Sequence, residues 1–130
     1  MMPFVHIHIA GTDFGPEQIE TLQRDVTHLM ATVMRKKAEL TAVLVETHVA
    51  SRWSVGGQAV PVAAHLDVKV TSGTNTSDEK AEFVRQAHSL LKSALGTDLP
   101  LASYVVIDEV SADAWGYGGS TQEARRKAPS

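Results

Sequence analysis

The sequence predicts an α+β fold: a two-layer α/β sandwich in which tandem β-α-β repeats form a mixed four-stranded sheet, with two helices on one face and short hairpins. Alternating apolar residues indicate strands, and apolar steps of three and four indicate helices. The segment "WSVGG" at 53–57 is repeated in similar form as "WGYGG" at 115–119. The 130 residues therefore predict one domain of two repeats, about 3–62 and 64–120, with a flexible tail over about 121–130.

The first repeat begins with the strand "FVHIHIA", in which apolar residues alternate with His6 and His8. A helix follows Gly15 and Pro16, which suit a cap and a first turn. Its predicted apolar stripe consists of Ile19, Leu22, Val26, Leu29 and Val33. The strand "TAVLVETHV" then leads into the first Gly-Gly hairpin. This order predicts a parallel crossover with its helix on one face of the sheet.

The second repeat shows the same order, with Ala64 where the first repeat has Pro3. Thr76 and Glu79 predict a capping box at the start of its helix, and Gly96 predicts the end. The predicted apolar stripe of this helix consists of Phe83, Ala87, Leu90 and Ala94. The two repeats together predict a sheet whose apolar face packs on both helices.

The opposite face of the sheet is predicted to carry no covering layer. Phe4, Leu44, Tyr104 and Val106 alternate onto it together with charged and histidine side chains. Apolar groups on an uncovered face are typical of interfaces. The pattern therefore predicts a homo-oligomer that shields this face.

Composition excludes several classes of function. The chain has no cysteine, which excludes a disulfide framework, a thiolate nucleophile and a cysteine-based zinc site. A formal net charge of -3 and the lack of a concentrated basic face argue against a nucleic-acid partner. No run approaches the ~18 apolar residues of a membrane span, and no secretory signal is evident. We expect a cytoplasmic protein with no membrane or nucleic-acid partner.

Two sets of polar residues could form a metal site or a catalytic pair. For each set, the sequence favours a role without chemistry. The spacing of His6 and His8 suits a metal, but the equivalent Asp67 and Lys69 supply no third converging histidine. We therefore predict no metal site and no cofactor. Glu46 and its equivalent in the second repeat lie on separate strands, which favours solvated or interface charge over a catalytic pair.

The architecture resembles the tautomerase superfamily. The resemblance rests on a near-N-terminal Pro3 that opens a strand, on a β-α-β unit, and on an aromatic residue followed by a Gly-Gly hairpin, with "EVSADAWGYGG" as the most similar segment. Short members, typified by 4-oxalocrotonate tautomerase, have one unit per chain. Longer members, such as malonate semialdehyde decarboxylase and cis-3-chloroacrylic acid dehalogenase, fuse two units, and this chain is similar to the fused kind.

The resemblance implies that Pro3 is the general base. Family members use an N-terminal proline whose free amine titrates near neutral pH and transfers a proton within a small enol or oxo acid. In this sequence Met1 and Met2 precede Pro3, so its nitrogen is an amide until both are removed. Translation from Met2 followed by ordinary processing would expose it. A homotrimer without cofactors is also implied.

The substrate-binding residues implied by the family are partly replaced. Positions of the family's arginines are occupied here by Asp13 and Ala42, and by Tyr104 in the second repeat. The resemblance leaves Arg52 and Tyr104 as candidate polar contacts and Trp53 and Trp115 as candidate apolar walls of the substrate pocket. A neutral or differently held substrate is consistent with these replacements.

The resemblance therefore implies an isomerase that acts on a small enol or oxo acid by tautomerisation, or by a related decarboxylation or hydration. Two alternatives stay open at this point. One is a catalytically silent trimer of the same fold, favoured by the blocked Pro3 and the missing arginines. The other is a ferredoxin-like ligand-sensing module, against which the duplicated Gly-Gly hairpins argue.

Overall fold

The computed structural model describes residues 2–11 and 13–127 and contains the two predicted β-α-β repeats. The elements of the first repeat are β1 (Phe4–Ala10), α1 (Pro16–Thr32), β2 (Ala42–His48), β3 (Ser54–Val55) and β4 (Gln58–Ala59). Those of the second are β5 (Ala63–Thr71), α2 (Ser77–Leu95), β6 (Tyr104–Val110), β7 (Gly116–Tyr117), β8 (Ser120–Thr121) and the short α3 (Gln122–Lys127).

The main sheet is mixed, as the sequence predicts, with the strand order β2-β1-β5-β6. Each repeat contributes one parallel pair, β1 with β2 and β5 with β6. The two repeats meet at the centre, where β1 and β5 run antiparallel and Phe4 lies opposite Lys69. The first strands of both repeats are thus the two central strands, and their starting points lie at opposite ends of the sheet.

The core lies between the sheet and the two long helices. Val5, Ile7 and Ile9 of β1 and Leu66 and Val68 of β5 are almost fully buried there, which confirms the predicted inward face. Burial of each such side chain contributes about 1.5 to 3 kcal/mol. The stripe of α1 is confirmed at Leu22, Val26 and Leu29, which are buried with Met30 beside them. The other two predicted members, Ile19 and Val33, are only partly buried.

The predicted stripe of α2 is partly wrong. Phe83 and Ala87 are buried as expected, but the stripe continues through Leu91 and Leu95. Leu90 is only partly buried, and Ala94 is exposed. A row of residues spaced by four is inclined to the helix axis, so it follows a twisted sheet obliquely.

The predicted starts of both long helices and the predicted end of α2 are confirmed. Gly15 is the N-cap of α1, with Pro16 in the first turn. The Thr76 hydroxyl accepts a hydrogen bond from the Glu79 amide at the start of α2, and the Glu79 carboxylate accepts one from the Thr76 amide. Gly96 ends α2 with φ 95°, a conformation that favours glycine.

Part of the segment that the sequence assigns to a tail has regular structure. Residues 120–121 form β8, and α3 follows as far as Lys127, while residues 128–130 lie outside the described residues. Gln122 is 2% exposed and its side-chain amide donates a hydrogen bond to the Met2 carbonyl at 3.0 Å. This contact ties the end of the second hairpin to the start of β1.

The face of the sheet opposite the helices is uncovered in the single chain. Phe4, Leu44, Tyr104 and Val106 are all exposed on it, as predicted. Among the described residues, no helix combines the length and the apolar character needed to cross a bilayer.

Candidate functional site

Two pockets lie at equivalent places in the two repeats, one at each end of the central strand pair. Each is built where the hairpin of one repeat meets the first strand of the other. The hairpin β7–β8 reaches the start of β1, and the turn that contains Trp53 reaches the start of β5. Because β1 and β5 are antiparallel, the two pockets face different ends of the sheet.

The first pocket, here named the proline pocket, has a volume of about 260 Å³. Pro3 is a buried residue in its wall. The pocket is lined by Met2, Pro3, Phe4, Lys69, Trp115, Gly116, Tyr117 and Gln122. A Cβ atom at Gly116 would lie 2.0 Å from the Ser120 carbonyl oxygen, so glycine is required for this close approach in the hairpin.

Two hydrogen-bond donors lie in the walls of the proline pocket. The Lys69 ammonium donates to the Asp108 carboxylate at 2.7 Å, and this bond raises the pKa of Lys69. The Trp115 indole nitrogen is buried and has no hydrogen-bond partner among the described residues. A buried donor without a partner is rare in proteins and is a candidate for a ligand contact.

The Pro3 nitrogen is an amide in the chain as it stands, because Met2 precedes it. An amide nitrogen has no available lone pair and cannot act as a base. The Met2 carbonyl is held by Gln122, and the Pro3 carbonyl accepts a hydrogen bond from the Ala42 amide. These two contacts position the chain start inside the pocket.

The second pocket, here named the histidine pocket, has a volume of about 310 Å³ and is lined by His8, His48, Val49, Arg52, Trp53 and His65. Trp53 occupies the place that Trp115 has in the proline pocket. Ala64, the equivalent of Pro3, lies inside the chain and supplies no amine. The second pocket therefore shares the architecture of the first but has no proline equivalent to Pro3.

The structure separates the five residues predicted for the site. Pro3 and Trp115 line the proline pocket, whereas Arg52 and Trp53 line the histidine pocket. Tyr104 lies opposite His65 in the β5–β6 register, next to the histidine pocket. Within one chain, a hairpin meets the first strand of the other repeat, so residues after β2 do not reach Pro3.

Three residues that contribute to these pockets were missed by the sequence interpretation. Lys69 was assigned only as the equivalent of a histidine, and Gln122 was placed in a tail. The antiparallel register, which sets Phe4 opposite Lys69, is the signal that brings Lys69 to Pro3. His48 was missed because its convergence with β1 depends on strand pairing.

The prediction that no third histidine joins His6 and His8 is wrong. His48 Nε2 lies 2.8 Å from His8 Nδ1, and the two rings are stacked with centroids 5.0 Å apart. Glu46 approaches both histidines of β1, with its Oε2 atom 3.4 Å from His6 Nε2 and 3.4 Å from His8 Nδ1. Parallel pairing of β1 with β2 creates this group, which the repeat alignment does not contain.

The pKa of His8 is lowered, mainly because burial disfavours its charged form and further because the other histidines repel a positive charge. Glu46 opposes this effect. The neutral imidazole is therefore the favoured form of His8.

Comparisons of the sequence and of the fold with those of known proteins give consistent results. A family model described as tautomerase enzyme matches residues 65–125. The probable tautomerase K2 of Dickeya dadantii (strain 3937) is 32% identical over 65 residues, which cover 50% of this chain and 96% of that protein.

Solved structures extend the similarity over almost the whole chain. The wild-type symmetric trimer of fused 4-OT has a TM-score of 0.81 at 17% identity and covers 94% of this chain and 98% of its own. FG41 malonate semialdehyde decarboxylase, inhibited by 3-bromopropiolate, has a TM-score of 0.75 at 20% identity, with coverages of 96% and 97%.

The fold and the paired pockets define a protein of two fused β-α-β units. The chain belongs to the tautomerase family. Its fold, with two β-α-β units in one chain, is similar to that of fused 4-OT.

Proposed function

We propose that this protein is an isomerase that uses Pro3 as a general base and acid on a small enol or oxo acid. The observation that carries the proposal is the position of Pro3: it is buried at the start of β1, in the wall of an apolar pocket that the second hairpin closes. The similarity to a probable tautomerase supports a catalytic role over a chain that only assembles.

The proposed reaction moves one proton and changes no oxidation state. The free amine of Pro3, exposed after removal of Met1 and Met2, takes the hydroxyl proton of an enol. The electrons of the C=C bond move to the neighbouring carbon while the carbonyl forms, and the ammonium returns a proton to that carbon. The base is regenerated, so no cofactor is required.

The substrate class follows from the walls of the proline pocket. Trp115 and Phe4 supply apolar surface, which suits an unsaturated carbon chain. Lys69 supplies a positive charge for a carboxylate. The Trp115 indole N–H, which has no partner within the part of the chain that the structure describes, can donate to a substrate oxygen. These two groups replace the arginines that the family resemblance implies. Arg52, Trp53 and Tyr104 are assigned to the second pocket of the same chain.

The test combines the mass of the mature protein with a tautomerase assay. Intact-mass spectrometry identifies preparations that begin at Pro3, and ketonisation of phenylenolpyruvate is then followed by absorbance. We expect activity in those preparations, and we expect Pro3→Ala to lower kcat by about 100-fold or more, since general-base catalysis contributes about 10²–10⁴-fold.

The equivalent substitution in the second repeat provides the control. Ala64→Gly alters the position equivalent to Pro3 at the other pocket, so ketonisation should stay within about twofold of the unmodified protein in correctly folded samples. Full activity in Pro3→Ala, or no activity on phenylenolpyruvate and 2-hydroxymuconate with a verified N-terminal Pro3, would contradict the proposal.

We also infer a homotrimer as the working assembly. The apolar side chains on the uncovered sheet face support it, as does the similarity to a fused 4-OT trimer. Light scattering measures the assembly directly.

A further inference from the structure

The group formed by His6, His8, Glu46 and His48, here named the histidine cluster, lies beside the histidine pocket on two adjacent strands. His6 and His8 project from β1, and Glu46 and His48 from β2. His8 and Glu46 are partners in the parallel register. The cluster is on the uncovered face of the sheet and extends along β1 from His6 away from Pro3.

Two of the distances within the histidine cluster match the ligand spacing of a metal centre. In a tetrahedral zinc site with bonds of about 2.0–2.1 Å, neighbouring ligand atoms are about 3.3 Å apart. Glu46 Oε2 lies 3.4 Å from His6 Nε2, 3.4 Å from His8 Nδ1 and 3.9 Å from His48 Nε2. The ligand atoms of His6, His8 and Glu46 all lie within 4.8 Å of one another, and His48 would join these three as a fourth ligand by a movement of its side chain.

One contact within the cluster must lengthen when an ion binds. His8 Nδ1 and His48 Nε2 are 2.8 Å apart, a hydrogen-bond distance that needs a proton on one of the two nitrogens. Metal binding removes that proton and separates the nitrogens by about 0.5 Å to reach the tetrahedral spacing. His48 is exposed at the end of β2 in the single chain, which leaves space for this movement.

A buried nitrogen in the cluster supplies an independent indication of a ligand. His6 Nε2 is buried and makes no hydrogen bond to any described residue, although it faces Glu46. An imidazole nitrogen in this state has either a proton or a lone pair that is not used. A cation held by Glu46 would use the lone pair.

We propose that His6, His8, Glu46 and His48 form a binding site for a divalent first-row transition metal ion such as Zn²⁺. Three imidazoles and one carboxylate are the ligands that this class of ion prefers, whereas Mg²⁺ and Ca²⁺ require oxygen ligands. The site borders the histidine pocket, so a small anion in that pocket has access to the ion. It is independent of the chemistry proposed for Pro3.

The test is metal binding by untagged protein that has been freed of metal with a chelator. We expect isothermal titration calorimetry with Zn²⁺ to give one site per chain, and Co²⁺ to give the intense visible absorption of a four-coordinate ion. His48→Ala and Glu46→Gln should each weaken Zn²⁺ binding by at least about tenfold, since loss of even an outer-sphere partner costs about 10- to 100-fold. Both side chains are partly exposed in the single chain, so the fold of the chain should persist.

Matched controls distinguish metal binding at the histidine cluster from non-specific metal binding by other histidines. His88→Ala removes a histidine from α2, in the other layer of the sandwich, and should leave the affinity for Zn²⁺ unchanged, as should Pro3→Ala. Mg²⁺ should give no heat above dilution. Equal weakening in His88→Ala and His48→Ala, or no binding of Zn²⁺ and Co²⁺ by the folded protein, would show that the cluster is only hydrogen-bonded and would overturn the proposal.

Discussion

Lys69 is the single residue that most changes the interpretation of the proline pocket. It lies on β5 directly opposite Phe4, so its side chain reaches the pocket that Pro3 lines. The hydrogen bond to Asp108 positions its ammonium group and raises its pKa, which keeps Lys69 charged at neutral pH. A charged group in this place can hold the carboxylate of a substrate where the family resemblance implies arginine.

Lys69→Gln therefore tests substrate recognition. The substitution removes the charge and keeps much of the side-chain length, and we expect kcat/KM for an enol carboxylate to fall at least about tenfold, because hydrogen bonds to charged groups contribute about 1.5–3 kcal/mol. Most of the change should appear in KM. Lys92→Gln, at an exposed position on α2, is the matched control and should leave kcat/KM within about twofold. A similar effect of both substitutions would contradict this role.

Among the elements, the end of α1 and the start of α2 are joined by a network of hydrogen bonds that includes an ion pair. Arg35 adopts φ 57° just beyond α1, and its guanidinium donates hydrogen bonds to the Glu79 carboxylate and to the Thr74 carbonyl. Asn75 bridges the same junction by donating to the Met34 carbonyl and to Glu79. The Glu79 carboxylate thus holds the two helices together as well as capping α2.

This junction predicts a specific dependence of stability on pH. The hydrogen bond from Arg35 is the main reason that the pKa of Glu79 falls from 4.5 to about 2. A carboxyl with a lowered folded-state pKa stabilises the fold fully above about pH 4.5, and the contribution is lost as pH falls toward 2. Glu79→Gln should lower the free energy of unfolding at pH 7 and flatten its dependence on pH between 4.5 and 2.

Urea denaturation at several pH values measures this effect. Glu39→Gln, in the exposed turn after α1, is a suitable control because Glu39 makes no ion pair among the described residues. The control protein should retain the acid-sensitive slope of the unmodified chain. An unchanged slope in Glu79→Gln would show that the junction does not contribute.

At the scale of the whole molecule, one face of the main sheet has no covering layer in the single chain. Four large apolar residues are exposed on this face, distributed over three strands: Phe4, Leu44, Tyr104 and Val106. Exposed apolar groups that share a face favour association, because assembly removes them from water. The proposed homotrimer is the assembly in which copies of the chain cover this face.

A pair of matched substitutions tests that assembly. Val106 on the open face is 40% exposed, and Val84 on the outer side of α2 is 39% exposed. Val106→Lys should convert the oligomer to monomers in light scattering, because assembly would bury a charge, which is costly without a partner. Val84→Lys should leave the mass unchanged. A monomeric unmodified protein, or a trimer in both variants, would contradict the proposal.

Much of this fold can be predicted from the sequence because its signals are local. A period of two marks the strands, and capping residues such as Gly15, Thr76 and Gly96 mark the ends of the helices. The repeated aromatic and Gly-Gly phrase also indicates two hairpins, since both glycines of each turn have positive φ. Each of these signals depends on residues that lie within a few positions of one another.

The composition of the pockets depends on pairing between distant parts of the chain. Pro3 and Trp115 meet because the second hairpin folds onto the first strand, and Lys69 joins them through the antiparallel register of β1 and β5. The same folding separates Arg52 from Pro3 and brings His48 to His8. Alternation along a strand specifies the face on which a side chain lies, but the register between strands specifies its neighbours. That register results from packing of the whole core, and it is the reason that the strands could be read from the sequence while the histidine cluster could not.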